Sequence, residues 1–277
     1  MNNMSTEWGT PEQIKKQYEV EKKLANKLRN STKDERKLLY KGLYNELFKR
    51  VPWHPLLTVK ENERSIRLRV QQQLRVIEDF INKDTVFMEI GAGDCSLALE
   101  LTKRVRQVYA IDVSDEITKM KKSLPDNFKL IISDGISIEV PMSSVDIAYS
   151  NHLIEHLYPD DIDDHIQNVR NALKLNGIYI ILTPHRFRGP SDISKYFDRV
   201  ATGFHLKEWI FSELKVLFKK HKFSKTEIYC LKKGFRIKIP TSFIKVIEYF
   251  LGKIPYLPRK KVSNLFFRGL FYVVAKK

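Results

Sequence analysis

An α/β fold built on a doubly wound, mostly parallel sheet is predicted by three observations on this 277-residue chain. Between Asp84 and Asp112 an apolar run (Val86, Phe87, Met88, Ile90) stops at Gly91-Ala92-Gly93, a helix-compatible stretch follows, and a second run (Val108 to Ile111) ends in Asp112. Downstream of that unit, strand-like and helix-like segments keep alternating, which argues one sheet with crossover helices rather than separate domains. With 43% apolar residues, the chain is long enough for one large domain with additions and a full core.

Residues 11–50 read as two amphipathic helices broken near Asn30-Ser31-Thr32, with Leu24 and Leu28 on one stripe and Leu39, Leu43 and Leu47 on the other. They are expected to cap the core over a ligand mouth. Two prolines bracket Trp53 and His54, so 51–55 is a loop. Helix resumes from Glu63 to Asn82, with Ile66, Val70, Leu74, Ile77 and Ile81 inward. In the glycine unit Ser96 reads as the helix N-cap. After it come a short helix (Asp115 to Ser123), a strand (Phe128 to Ile132), a fourth strand from Ser144 to Tyr149, and a helix started by Pro159 and four acids and stopped at Asn176-Gly177. A fifth strand spans Ile178 to Leu182, a helix begins at Lys207, and the last two strands are read at Lys222 to Leu231 and Gly269 to Lys276. That makes seven strands.

Chemistry concentrates at the glycine turn. Missing side chains let backbone approach a ligand, and the acid ending the second strand is placed to accept ribose hydroxyls, so an adenosine-bearing cofactor is expected. A dinucleotide would want a third glycine at position 96, where Ser96 stands. S-Adenosylmethionine has no pyrophosphate and does not need that contact.

EIGAGDCSLAL, VYAIDVS, the pair Asp134-Gly135, VDIAYSNHLIEHL and GIYIILTP, covering about residues 84–184, together resemble the ordered motifs of class I S-adenosylmethionine-dependent methyltransferases. Cys95 stands where members of that family usually carry a further alternate glycine. The resemblance implies a Rossmann-like methyltransferase fold and S-adenosyl-L-methionine as cofactor. It implies that Glu89, Gly91 and Gly93 frame the methionyl end, that Asp112 takes the ribose with Val113 against the adenine, and that Asp134 and Gly135 face the adenine edge. Ser150, Asn151 and His152 would lie beside the sulfonium and the acceptor.

His152-Leu-Ile-Glu155-His156 also matches the H-x-x-E-H spacing of zinc peptidases. It is read as part of the methyltransferase pattern, with no metal expected, because no distant third ligand stands out. The long polar segment after the fifth strand supplies acceptor-site candidates: His185, Asp192, Asp198 and His205, with Arg186 and Arg188 suited to a phosphate or carboxylate. An oxygen acceptor must lose its proton, which an imidazole can accept, so His152 and His185 are the expected bases.

The net charge of +16 is uneven: residues 215–277 carry 17 basic and 2 acidic groups. Within them, 234–268 interleaves Phe243, Ile244, Ile247, Tyr249, Phe250 and Leu251 with lysines and arginines. That composition suits a lid or an element facing anionic lipid, and also a grip on nucleic acid. The expected organisation is a helical cap (1–83), the cofactor-binding core (84–233), the basic apolar insertion (234–268) and a last core strand (269–277). Two cysteines, no secretory signal and no apolar run near the length of a membrane span predict a cytoplasmic protein, peripheral on the membrane if the insertion meets lipid. The expected activity is methylation of a small-molecule, glycan or lipid-linked acceptor on oxygen. RNA methylation, or a non-catalytic cofactor-binding scaffold at a membrane, are the alternatives.

Overall fold

The computed structural model describes residues 9–58, 62–113, 123–232, 234–267 and 269–277. Its centre is a sheet in the order β3-β2-β1-β4-β5-β8-β6-β7. The first five strands are parallel: β1 (Val86–Ile90), β2 (Gln107–Asp112), β3 (Phe128–Ile132), β4 (Val145–Asn151) and β5 (Leu173–Leu182). Strands β6 (Lys225–Lys232), β7 (Phe235–Ile239) and β8 (Leu270–Lys276) join antiparallel. All five residues of β1 are buried. Val86, Met88 and Ile90 enter one apolar cluster and Phe87 the other, as a central strand covered on both faces requires.

The sheet has eight strands where seven were expected. The extra one, β7, comes from the start of the insertion and folds back on β6 through a tight turn at Gly234, whose φ of +84° suits a residue without a side chain. Several boundaries also move. The helix α6 (Pro159–Ala172) ends earlier than Asn176, because Leu173 already pairs with Val145, and Asn176 is taken up as a left-handed residue inside β5. Helix α7 spans Phe211–Lys220 and closes on Lys222 in the left-handed region, so β6 starts at Lys225. The short helix α5 (Ser96–Leu101) takes Cys95 as its N-cap position at φ +54°; Asp94 rather than Ser96 caps it, accepting from the Ser96 amide (3.1 Å) and hydroxyl (2.7 Å). Of the helix expected at 115–123, residues 115–122 lie outside the described residues.

Helices α1 (Pro11–Arg29) and α2 (Lys33–Arg50) each open with a capping box, Thr10 with Gln13 and Thr32 with Glu35. A four-residue helix, α3 (Pro55–Thr58), follows, and α4 (Glu63–Ile77) packs against α5. The α2 helix is fastened by a buried ion pair. Arg36 donates to both oxygens of Asp161 at 2.6 Å, and the Tyr40 hydroxyl donates to the same carboxylate at 2.9 Å while accepting from the Tyr158 amide. Asp161 is fully buried in the first turn of α6. The pair therefore ties the N-terminal helices to the crossover helix beside β5. At the far end, α1 holds the 198–203 loop: Tyr18 and Lys22 donate to Asp198, and Arg29 donates to the Thr202 carbonyl.

The insertion contributes β7 and two helices, α8 (Thr241–Lys253) and α9 (Tyr256–Phe266). Ile244 and Leu251 of α8 are buried, and so is Glu248, whose carboxylate accepts from the Phe211 and Ser212 amides at the start of α7. A carboxylate at a helix N-terminus satisfies donors that have no partner inside the helix. The opposite face of α8 leaves Phe243, Val246, Tyr249 and Phe250 exposed. Among the described residues no helix is long and apolar enough to cross a membrane.

Removing one partner of a buried ion pair strands the other charge. Arg36→Met should therefore lower unfolding free energy by about 3–5 kcal/mol, and Arg36→Met with Asp161→Leu should recover most of it. Urea denaturation followed by circular dichroism checks this; equal stability of wild type and the single variant would show that the pair does not hold the cap.

Candidate functional site

Strand β1 pairs with β2 on one side and β4 on the other, so the crossovers leave in opposite directions and a crevice opens at the carboxyl ends of the strands. Its floor is the glycine turn. Gly91 and Ala92 donate their amides to the Ile111 carbonyl (2.8 and 3.1 Å), which ties the turn to the end of β2. Gly91 (φ +72°) lies against Leu153, where a Cβ would come within 3.1 Å of that side chain. Gly93 (φ +52°) faces open space. Its amide donates to Asp112 Oδ2 at 2.7 Å, which holds the carboxylate at the rim of the crevice. Val113 follows, half-buried.

Glu89 lies beneath the first turn of α5 and takes a hydrogen bond from the Ala98 amide. It is buried, and its Oε2 has no hydrogen-bond partner among the described residues. Burial lifts this carboxyl to about 8, with Asp94 and Asp112 adding to the rise and the Ala98 amide and Arg69 opposing it. A buried acid with an unmet oxygen beside an open glycine turn is suited to receive an ammonium group.

At the third strand, the Asp134 carboxylate closes its own turn, accepting from the Ile136 and Ser137 amides (2.9 and 2.6 Å) and the Ser137 hydroxyl. Burial opposes its ionisation, but these hydrogen bonds win and hold it below the ordinary range. Gly135 is roofed by Tyr40 of α2, at 3.3 Å from where a Cβ would stand. A flat ligand edge here would meet backbone and an aromatic ring.

At the end of β4 the three expected residues diverge. Ser150 is buried and turned inward, 2.8 Å from the Tyr179 hydroxyl, which in turn contacts His165 Nε2. Asn151 is half-buried at the strand end. His152 stands out from the edge with its backbone at φ +54° and its side chain 61% exposed. Its Nδ1 lies 3.0 Å from Glu155 Oε1, which leaves Nε2 toward solvent. Glu155 is fully buried and accepts from the Thr183 hydroxyl at 2.9 Å through its other oxygen. Burial opposes its ionisation, yet the His152 hydrogen bond and the neighbouring imidazoles keep it below the usual carboxylate range. Residues 152–156 form a turn and not the helix that the H-x-x-E-H spacing suggested, because β4 has only just ended.

The acceptor-site candidates fall into two groups. Asp192 and His205 face one buried polar cluster under the cap. Asp192 Oδ2 accepts from the His205 amide, and His205 Nδ1 lies 2.9 Å from Glu208. The others are occupied. Asp198 is taken by Tyr18, Lys22 and Thr202, and Arg186 donates through Nη1 to both oxygens of Glu213. His185 is buried with both nitrogens engaged, Nε2 to Glu248 at 3.0 Å and Nδ1 accepting from the Phe187 amide, and its ring stacks on Phe267 at 4.0 Å. His185 still lines a cavity of about 270 Å³ shared with His152, Thr183, Arg188 and the insertion's Asn264 and Phe267.

Two contributors were not singled out in the sequence. Tyr44 of α2 packs edge-on against Phe204, and its phenol is pushed up by burial and by the charges of Glu21, Glu155 and Asp112. It therefore sits between the rim of the crevice and the buried cluster. Glu21 of α1, 3.8 Å from His54 and close to Asp192, is raised by burial to about 7. Both lie on helices whose stripes read only as packing.

A doubly wound sheet with a glycine turn after its first strand and an acid at the end of its second is the fold of nucleoside-binding α/β proteins. Residues 88–181 match the family model described as "Methyltransferase domain". A phosphoethanolamine N-methyltransferase 1 of Zea mays is 27% identical over 116 residues, 40% of this chain and 23% of that protein. This chain thus spans about a quarter of the length of the curated relatives it matches. Among solved structures, a SAM-dependent methyltransferase from Archaeoglobus fulgidus has a TM-score of 0.54 at 20% identity, covering 76% of this chain and 94% of that one. The Haemonchus contortus phosphoethanolamine N-methyltransferase 1, solved with phosphoethanolamine and S-adenosylhomocysteine, has a TM-score of 0.56 at 14% identity, covering 89% and 50%. Residues 88–181 thus match a methyltransferase domain, and the fold around them is that of the solved S-adenosylmethionine-dependent methyltransferases. The residues present fit that cofactor, since the open Gly93 and the unmet Glu89 oxygen match its amino-acid end.

The raised Glu89 carboxyl makes the stability of the apoprotein depend on pH. Its ordinary value is 4.5 and its folded value about 8, so the folded apoprotein retains a proton between those limits that the unfolded chain releases. Stability of the apoprotein should fall as pH rises through that window, and Glu89→Gln should remove the decline. At pH 7 S-adenosylhomocysteine binding should expel close to one proton as the ligand ammonium pairs with the carboxylate. Calorimetry in buffers of different ionisation enthalpy reads this directly. Glu89→Gln should abolish the release and weaken affinity roughly tenfold to a hundredfold; an unchanged proton count would remove Glu89 from the site.

Proposed function

We propose that the protein transfers the methyl group of S-adenosylmethionine to a small polar acceptor whose proton is taken by His152. The observation that carries this reading is the His152–Glu155 pair: a buried anionic carboxylate holds Nδ1 at 3.0 Å and leaves Nε2 exposed beside the glycine turn. That arrangement orients an imidazole as a base and favours the imidazolium that forms. The cofactor supplies an activated methyl on a sulfonium. The remaining work is alignment, exclusion of water and proton removal.

The acceptor nitrogen is supported over the oxygen expected from the sequence by two points. Relatives over the domain are named for N-methylation of phosphoethanolamine. In addition, the chamber under the cap gathers carboxyl groups of Glu21, Glu155, Asp192 and Glu208, which suits a substrate that arrives as a cation. Arg188, exposed at the mouth of the 270 Å³ cavity and bonded among the described residues to Asn264, is placed to meet an anionic group at the acceptor's other end. His152→Gln should lower kcat by about 10²–10⁴ while S-adenosylhomocysteine affinity stays within about twofold. Turnover equal to wild type, measured with methyl-labelled cofactor and phosphoethanolamine or a metabolite extract, would reject His152 as the base.

A second reading concerns location. The exposed face of α8 sets Phe243, Val246, Tyr249 and Phe250 beside Lys245 and Lys253 in the most basic part of the chain. Apolar side chains flanked by cations suit the headgroup region of an anionic membrane. The protein should cosediment with vesicles containing phosphatidylserine and not with phosphatidylcholine alone, and Phe243→Ser with Phe250→Ser should abolish this. Equal partition of that variant would count against the face.

A further inference from the structure

We infer that Glu155, His156 and His205 form a binding site for a divalent transition cation of the zinc type. One ligand atom from each lies within 4.8 Å of the others, the one such group of three among the described residues. Glu155 and His205 are buried and His156 is half-buried. The two imidazoles come from distant parts of the chain, the turn after β4 and the loop before α7, and their rings meet edge to face at 4.9 Å.

The surroundings of each ligand are those of a metal-binding imidazole. His156 Nδ1 lies 3.0 Å from the Phe204 carbonyl, and His205 Nδ1 lies 2.9 Å from the Glu208 carboxylate. Outer hydrogen bonds of this kind fix the tautomer and ring orientation and raise the basicity of the other nitrogen. They leave Nε2 of both rings as the ligating atoms, and no hydrogen bond to either Nε2 occurs among the described residues. Glu208 is itself anchored by the Ser191 amide at 2.6 Å. Glu155 is oriented from both sides by His152 and Thr183 and retains lone pairs on each oxygen.

The donor set selects the ion. Two imidazoles and one carboxylate suit Zn²⁺ and the neighbouring first-row divalent ions and disfavour Ca²⁺ or Mg²⁺, which prefer oxygen. Ligand bonds of about 2.0–2.2 Å bring tetrahedral ligand atoms to roughly 3.3 Å apart, so from separations within 4.8 Å loading needs a contraction of at most about 1.5 Å. Three protein ligands leave a coordination position for water or an incoming ligand, as in catalytic rather than structural zinc sites. Because Glu155 also holds His152, an ion here would tune the same imidazole that the proposed reaction uses. The site itself stands on the ligand geometry and not on that reaction.

The test is metal binding, read apart from activity. Tag-free protein purified without chelator is analysed for bound metal, then stripped and titrated with Zn²⁺ or Mn²⁺ alone by calorimetry. One ion per chain is expected, with His205→Asn and Glu155→Gln each weakening binding by about tenfold or more. His221→Asn, whose imidazole pairs with Asp163 on the outer surface, should bind as wild type. Because a buried variant can fail to fold, the wild type is also followed by imidazole ¹⁵N NMR, where Zn²⁺ should shift Nε2 of His156 and His205 together. Retention of neither ion at one per chain, wild-type affinity in His205→Asn, or ¹⁵N shifts confined to other histidines would overturn the assignment.

Discussion

The parallel pairing of β1 with β2 on one side and β4 on the other is the constraint on which the rest of the structure depends. Backbone pairing in that register brings Ile90 level with both Ile111 and Ser150, so three strands end side by side. The glycine turn, Asp112 and the His152 turn then share one edge without any of them being close in sequence. Hydrogen bonds from Gly91 and Ala92 to Ile111, and from Gly93 to Asp112, lock the turn to its neighbour. A side chain at Gly91 would press on Leu153, so the glycine also sets how near the β4 turn can come.

Around that edge the protein keeps acids in two different states. Glu89 and Glu21 are raised by burial, to about 8 and about 7, because desolvation outweighs the Arg69 charge and the Ala98 amide at Glu89 and the Gln17 hydrogen bond and His205 at Glu21. Glu155 is equally buried but meets His152, Thr183 and two further imidazoles, and stays anionic. The first kind keeps its proton near neutral pH. The second kind organises the histidines. The edge of the sheet thus carries both neutral and anionic carboxyl groups at neutral pH.

The cap and the insertion are fastened by the same device, a buried carboxylate accepting from donors on another element. Asp161 receives Arg36 and Tyr40 from α2, and Glu248 of α8 receives the first amides of α7 while holding His185. The first joins segments 125 residues apart and the second joins the insertion to α7, so the outer helices are fastened to the core.

Local pattern by itself determined the βαβ unit, the glycine turn, Asp112, the paired N-terminal helices and the methyltransferase motifs, because apolar periodicity, capping residues and glycine spacing act over a few residues. It also put His152, Asp192 and His205 among the groups to watch. Only the tertiary structure decided their partners. Strand β7 was hidden in a stretch that reads as basic and apolar, since an edge strand needs a neighbour before its pattern has meaning. His205 could not be joined to Glu155 and His156 from sequence, because 48 residues separate Phe204 from the histidine it contacts. Tyr44 and Glu21 looked like helix packing until the cap was laid on the sheet. Those placements depend on long-range burial and charge, which no short window of residues contains.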